Sequence, residues 1–417
     1  MLTIFIFFIS ALLFIDYKKY FVVIMALSVW LSCFFSSTEN LFATFSMCAL
    51  FLFLFKGKKI LRSVQISQYP LKTFSILYFS SLFLSNFFTG NVHNSAFLNR
   101  TLIQIIDVFI FWCIIESNPK KYMNVFVKTS FYFAVMLCLY AVYETITRTN
   151  PIVTTFASCG LYNSSWYSEE IRFGFKRAQS FLMMHTSLGG ICIALFALFL
   201  SKNKLLQKTS IYESVFVAIL FFVALVTGSR SVILSIFITL GISLSKVGSK
   251  QIIGFLVLIV VFFVFQNYFD SIISSFQDTK AVTGSNSDMR EGQFEIALAS
   301  LVDHVWLGNG LTYTFSESFF TKELFGAESL WLPIIIEQGV WGVVSVGAFF
   351  VQCFFYCFKV KKLYLNFFVL AMLVLYSMTS VPQFNFSFTF IYLYMISCMD
   401  KVYETNTKRA YCGEKVK

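Results

Sequence analysis

Arg172, Arg177, Arg230, Arg290 and Glu328 are the residues of this sequence whose types and spacing could do chemistry. A guanidinium grips carboxylate or phosphate oxygens in a two-pronged fork that an ammonium cannot form. Arg172 and Arg177 belong to the run Arg172-Phe-Gly-Phe-Lys-Arg-Ala-Gln-Ser-Phe181, where a loop meets an apolar segment. Such a cluster suits a phosphate at a membrane surface; Arg172 and Lys176 suit anchoring to lipid headgroups equally well. Arg230 belongs to Thr227-Gly-Ser-Arg-Ser231, the whole turn between two apolar runs. It therefore stands at a helix start, where freed backbone N–H groups attract anions. Arg290 lies in Ser287-Asp-Met-Arg-Glu291, where Asp288 and Glu291 predict a capping box for a helix running to about His304. The predicted apolar stripe of that helix is Phe294, Ala297, Leu298 and Leu301, with Arg290 at its head. An arginine there either pairs internally or reaches a ligand. Glu328 stands where a long polar loop returns to an apolar run. Among arginines, such a carboxylate is either their counter-ion or a general base.

The elements that must position these residues are apolar helices. The chain has 417 residues, 58% hydrophobic and 13% charged, with mean hydropathy +0.75 and 55 phenylalanines. That balance excludes an ordinary soluble globular protein. Apolar runs fall near 2–15, 21–36, 41–55, 73–88, 101–115, 129–146, 181–200, 211–226, 231–244, 251–265, 329–357, 364–380 and 386–399. The pattern predicts an all-α polytopic membrane protein with 12–13 transmembrane helices. The segments of about ten residues with alternating polarity that mark a β-barrel are absent. Residues 1–265 read as transmembrane helices with an external loop at about 147–180, and 266–328 as a large extracytoplasmic loop containing short helices. Residues 329–399 complete the helices, and 400–417 form a cytoplasmic tail. No small-residue cleavage site follows the first apolar run, which is expected to be retained. The ten cysteines are scattered without a CxxC and read as small buried hydrophobes.

Sorting the basic residues orients the helices and weakens a nucleic-acid reading of the net charge of +11. The connections alternate, and one set, holding 23 of the 32 basic residues, is cytoplasmic by the positive-inside rule. That set contains 21 Lys and two Arg, Arg62 and Arg409. The opposite set contains three Lys and six Arg: Arg100, Arg148, Arg172, Arg177, Arg230 and Arg290. Topology needs only positive charge, so arginine on the disfavoured face needs another reason. Either each pairs with a loop carboxylate, or together they receive an anionic ligand; the set as a whole favours the ligand. Asp107, Glu144 and Glu337 are the few ionisable residues within spans, fewer than an ion-coupled transporter ordinarily carries. Paired, broken mid-membrane helices are not evident either.

Read in order, these motifs resemble the O-antigen polymerase and O-antigen ligase superfamily. The residues that carry the resemblance are Arg177-Ala-x-Ser-Phe before a span, Thr-Gly-Ser-Arg230 between two spans, Arg290 opening a helix in a large external loop, and Gly308-x-Gly310. A loop end with Glu328, Ser329, Leu332, Glu337 and Gly339 completes it. The match covers roughly 172–342; the first half agrees in hydropathy only. The resemblance implies that Arg177, Arg230 and Arg290, with Arg172 beside them, hold the pyrophosphate of a lipid-linked glycan. It implies a bacterial inner-membrane enzyme that polymerises undecaprenyl-pyrophosphate-linked repeat units, with donor and acceptor both lipid-linked. A chain-length regulator and a flippase would be its functional partners. A ligase acting on a lipid A core, or a flippase for the same lipid, are the alternatives. The ligase branch has His where this chain has Glu328, which favours the polymerase. Neither a metal nor a nucleotide cofactor is expected, since no G-x-x-x-x-G-K-[ST] and no metal-ligand cluster occurs.

Overall fold

The computed structural model describes residues 11–34, 41–89, 95–162, 171–172, 175–182, 184–206, 211–244, 287–311, 313–316, 329–379 and 386–400. Apart from one pair of two-residue strands, the regular structure there is helical. The principal helices are α1 (Tyr17–Ala26), α2 (Leu41–Lys56), α3 (Lys72–Thr89), α4 (Ser95–Ser117), α5 (Pro119–Thr147), α6 (Pro151–Ser158), α7 (His185–Leu206), α8 (Ile211–Val226) and α9 (Arg230–Leu244). They continue with α10 (Ser287–Ala299), α11 (Trp331–Lys359), α12 (Asn366–Ser377) and α13 (Phe386–Cys398). Among the described residues, α5, the stretch His185–Asn203 of α7, and α11 are long and apolar enough to cross a membrane. Thr44–Lys56, Tyr212–Val226, Arg230–Ser243, Leu363–Ser377 and Phe386–Cys398 are apolar but shorter. The expected run 251–265 and the loop residues 266–286 lie outside the described residues, as does the tail beyond 400.

Local sequence explains where helices start. Asn-Pro occurs at 118–119 and again at 150–151, and each time the asparagine side chain caps a helix that opens on proline. Asn118 accepts from Lys121 N at 3.2 Å and Asn150 from Val153 N at 3.1 Å. Proline suits the first helical position because its missing N–H would have no intrahelical partner. Helix α13 is buried on every side, as a helix apolar all round requires; its few hydroxyls, Ser387, Thr389 and Ser397, are buried too.

The helices pack antiparallel with polar rivets between them. Ser235 of α9 donates to the Ala371 carbonyl of α12 at 2.8 Å, and Gly241 lies against the Phe367 ring. At the other end of this pair, Gly189 of α7 packs on Val232 and Gly190 on Leu375. The start of α9 therefore meets the end of α12. Leu330 N, just ahead of α11, donates to Tyr376 O at 3.0 Å, so the start of α11 joins the same end. Lysine pairs mark the opposite end: Lys121 with Asp16 at 3.6 Å, Lys202 with Glu213 at 2.8 Å, and Lys362 with Asp400. Arg177 and Arg230 thus sit at one end of the bundle and these lysines at the other.

Helix α11 is broken at Gly339, whose φ of 61° and ψ of −156° are non-helical. Nothing in the local residue pattern marks a broken helix; Glu337-Gln-Gly339 reads as ordinary span. The groups freed by the break are satisfied by residues 305–310. Asn309 N donates to Ile336 O at 2.9 Å and Gly310 N to Glu337 O at 3.0 Å. In return Val340 N and Trp341 N donate to Val305 O and Trp306 O at 3.0 and 3.1 Å. Ser85 of α3 adds a 2.6 Å bond to Glu337 O. Backbone can approach backbone this closely only without side chains. A Cβ on Gly308 would stand 2.5 Å from Gln338 N, and one on Gly339 would stand 2.6 Å from Val305 O.

Gly308→Ala should therefore lower the thermal midpoint of the detergent-purified protein. The left-handed backbone (φ +66°) adds about 1–2 kcal/mol to the clash. Gly347→Ala, where an added Cβ meets nothing within 4 Å, is the control and should be neutral or stabilising by up to about 1 kcal/mol. Equal behaviour of the two variants would mean that residues 305–310 do not dock in the break.

Candidate functional site

The site is built around a strap, residues 175–182, that crosses the arginine end of the bundle. It begins as β2 (Phe175–Lys176), paired antiparallel with β1 (Ile171–Arg172) so that Ile171 faces Lys176 and Arg172 faces Phe175. From Lys176 to Phe181 every side chain is buried. Glu144, near the end of α5, holds this run. Its Oε2 accepts Gln179 N at 2.9 Å and Ser180 N at 2.7 Å, and its Oε1 lies 3.4 Å from the Lys176 ammonium. Asn150, having capped α6 with its oxygen, donates its amide to Ser180 O at 2.6 Å. Ser180 has φ +55°, a left-handed turn that redirects the chain just after the two N–H groups that share Glu144 Oε2. Its hydroxyl donates to Leu137 O at 3.0 Å. The Tyr162 hydroxyl donates to Phe181 O at 2.7 Å, and burial raises its pKa above the ordinary phenol range, so it stays a donor.

Between these anchors the strap lies on the α8–α9 turn. Ala178 N donates to Val226 O at 3.1 Å and Arg177 Nε to Thr227 O at 3.2 Å. The turn is tight: Gly228 has φ +63°, and its N–H returns to Leu225 O at 3.0 Å. Thr227 caps backward onto Ala224 O at 2.7 Å, and the Ser229 and Ser231 hydroxyls share a 2.9 Å bond. Arg230 is the first residue of α9 and half-buried, whereas Arg177 is only 6% exposed. Two of the expected arginines, from segments fifty residues apart, therefore converge on one turn at a helix start. Lys176, next to Arg177 on the strap, is a third cation at this end among the described residues, paired with Glu144; guanidinium forks suit anionic oxygens.

The start of α11 borders the same end. Trp331 Nε1 donates to Ser377 Oγ at 3.0 Å, fixing residues 329–331 on the end of α12. Glu337, buried at the helix break, accepts the Thr314 hydroxyl, and Gln338 accepts Ser81 at 2.9 Å. Helix α10 packs on the first turns of α11 through Ala297, Leu332 and Ile336. Arg290 stands in the first turn of α10, two turns ahead of Ala297. Glu328 and the side chains of Arg172 and Arg290 lie outside the described residues.

Three expectations need correction. The capping box at Asp288 does not start the helix: α10 begins at Ser287 and ends at Ala299, well short of His304. Its buried side is Gln293, Ala297 and Leu301, while Phe294 and Leu298 are exposed. Gln293 takes the buried place that hydropathy alone assigns to its apolar neighbours. Lys176 does not reach out to headgroups but turns inward, because Glu144 offers it a buried partner. Ser180 belongs to the Arg177-Ala-x-Ser-Phe motif, but the sequence does not point to Glu144 or Asn150 as its partners. The Asn-Pro signal at 150–151 marks a helix start, yet nothing local ties Glu144 to a segment some thirty-five residues later.

No model of a known protein family matches this chain, and no curated protein matches its sequence.

The geometry makes Glu144→Gln a sharp probe. The amide can still accept from the strap, but it leaves the buried Lys176 ammonium facing a neutral group. Breaking a buried pair on one side costs roughly 3–5 kcal/mol. The single variant should lose stability in a thermal scan, and Glu144→Gln combined with Lys176→Met should recover much of it. A double variant no better than the single would remove the ion pair from the account.

Proposed function

We propose that this protein is a multi-pass inner-membrane glycosyltransferase that polymerises lipid-linked oligosaccharide units at the extracytoplasmic face. The arginine end of the bundle is that face, because lysines favour the cytoplasmic side. The observation that carries the reading is the convergence of Arg177 and Arg230 on the Thr227–Ser231 turn. Two guanidinium groups beside a helix start match the charge and fork geometry of a pyrophosphate. The order of motifs from 172 to 342, which resembles the O-antigen polymerase and ligase superfamily, supports the same reading.

In the proposed reaction, the bond between the donor glycan's anomeric carbon and the undecaprenyl pyrophosphate breaks. The electron pair leaves with the pyrophosphate, whose developing charge Arg177, Arg230 and Arg290 stabilise, with Arg172 assisting. The anomeric carbon bonds to a hydroxyl of the acceptor's sugar, and the hydroxyl proton passes to Glu328. Glu328, where the ligase branch carries His, favours a polymerase over transfer to a lipid A core. A flippase would need a cavity through the bundle. Among the described residues, the break in α11 is a feature that could suggest such a path, and it is filled by the backbone of 305–310.

Arg177→Lys, Arg230→Lys and Arg290→Lys each keep the charge and lose the fork. Each should cut polymer yield about tenfold or more, the scale of one lost charge-assisted hydrogen bond, while membrane abundance is unchanged. The readout is the glycan length profile of a deletion strain carrying each variant; the empty deletion should leave single repeat units on the acceptor. Long chains retained on the carrier would indicate a ligase instead, and full-length polymer in all three variants would refute the pyrophosphate site.

A further inference from the structure

Helix α10 and the segment after it carry an exposed apolar surface beside the face that packs on the bundle. Gln293, Ala297 and Leu301 face α11. Moving round the helix by 100° per residue, Phe294 and Leu298 form the adjacent flank, and Glu291 and Glu295 the face beyond it. Phe294 is 39% exposed and Leu298 60%. Past the helix end, Val302 is 76% exposed, Val305 44% and Trp306 69%. A polar loop standing free in water would not present five large apolar side chains side by side. The order of faces (protein, apolar, acidic) is that of a helix lying at an apolar–aqueous boundary.

The position of this surface relative to the bundle identifies the boundary. Val305 and Trp306 are fixed to Val340 and Trp341 by the two backbone bonds across the break in α11. Trp341 in turn donates to Ser80 of α3 at 3.1 Å. The surface is thus continuous with outward apolar side chains of these two helices, Phe83 and Phe87 on α3 and Val344 on α11, each about half exposed or more. Tryptophan at the end of such a belt belongs to the headgroup layer, where its ring is buried and its N–H stays wet.

We propose that Phe294, Leu298, Val302, Val305 and Trp306 form a membrane-docking surface seated in the interfacial layer of the bilayer. Helix α10 then lies along the membrane, with Glu291 and Glu295 toward water, rather than projecting from it. The inference rests on the membrane-spanning reading of the bundle but not on the proposed reaction. It has a consequence for that reaction: Arg290, on α10, is held at headgroup depth, where a lipid-linked pyrophosphate resides.

The test uses full-length protein reconstituted into vesicles of phosphatidylethanolamine and phosphatidylglycerol, with the native cysteines replaced. A nitroxide is attached at Val302→Cys, at Glu295→Cys, or at Val351→Cys on the exposed side of α11. Collision rates with oxygen, which concentrates in lipid, and with a water-soluble nickel chelate are compared. Oxygen should dominate at 302 and 351, and the chelate at 295. Chelate dominance at 302 with oxygen dominance at 351 would overturn the docking surface alone. Low collision with both reagents at 302 would mean that protein covers it, and would overturn it too. Chelate dominance at 351 would refute the membrane-spanning reading and the proposal with it. A second measurement keeps the native cysteines: brominated lipid should quench less of the tryptophan emission in Trp306→Phe than in the parent, and equal quenching would count against the proposal.

Discussion

The arginine end of the bundle depends on one buried carboxylate. Removing Glu144 and Lys176 from water costs several kcal/mol per ion, and their mutual attraction alone does not reliably offset it. The Gln179 and Ser180 N–H groups supply the rest, because they satisfy the second carboxylate oxygen with two hydrogen bonds. The same bonds oblige the strap to run across the end of α5 and over the α8–α9 turn. Arg177 is carried there as a result. Its guanidinium meets Thr227 because the N–H groups just after it have already fixed residue 178 to Val226 and residues 179–180 to the Glu144 carboxylate.

A second constraint shapes the far side of the site. A helix interrupted at Gly339 exposes N–H and C=O groups that an apolar interior cannot leave unpaired. Residues 305–310 pair with them, so the loop region is joined to α11 by main-chain bonds rather than by side chains alone. This joint sets where α10 sits, and with it Arg290. The two constraints meet at the end of α12, which receives Leu330 from one side and packs on α9 from the other.

The segregation of lysine from arginine was legible in the sequence, because charge type and alternation survive without any knowledge of packing. So was the Thr227–Ser231 turn: α8 ends at Val226 and α9 begins at Arg230, as two apolar runs separated by Gly and Ser require. The strap was not legible. Its partners, Glu144, Asn150 and Tyr162, are each ordinary in local context and become a set only through contacts across the fold. The break at Gly339 was hidden for a related reason, since a glycine within an apolar run reads as span until its φ is known. For α10, periodicity identified a helix and placed Ala297 and Leu301 correctly. It put Phe294 and Leu298 inward, where the structure leaves them exposed, because hydropathy alone does not say which apolar residues of a helix are buried in protein.

The central claim is that Arg177 and Arg230 form one pyrophosphate site. The most direct measurement is calorimetric binding of a short-chain polyprenyl pyrophosphate to the purified protein, compared with the matching monophosphate. The account predicts a preference for the pyrophosphate of about tenfold or more, about 1.4 kcal/mol. That preference should disappear when Arg177→Lys and Arg230→Lys are combined. Equal affinity for the two lipids, or a preference untouched by the double substitution, would contradict it.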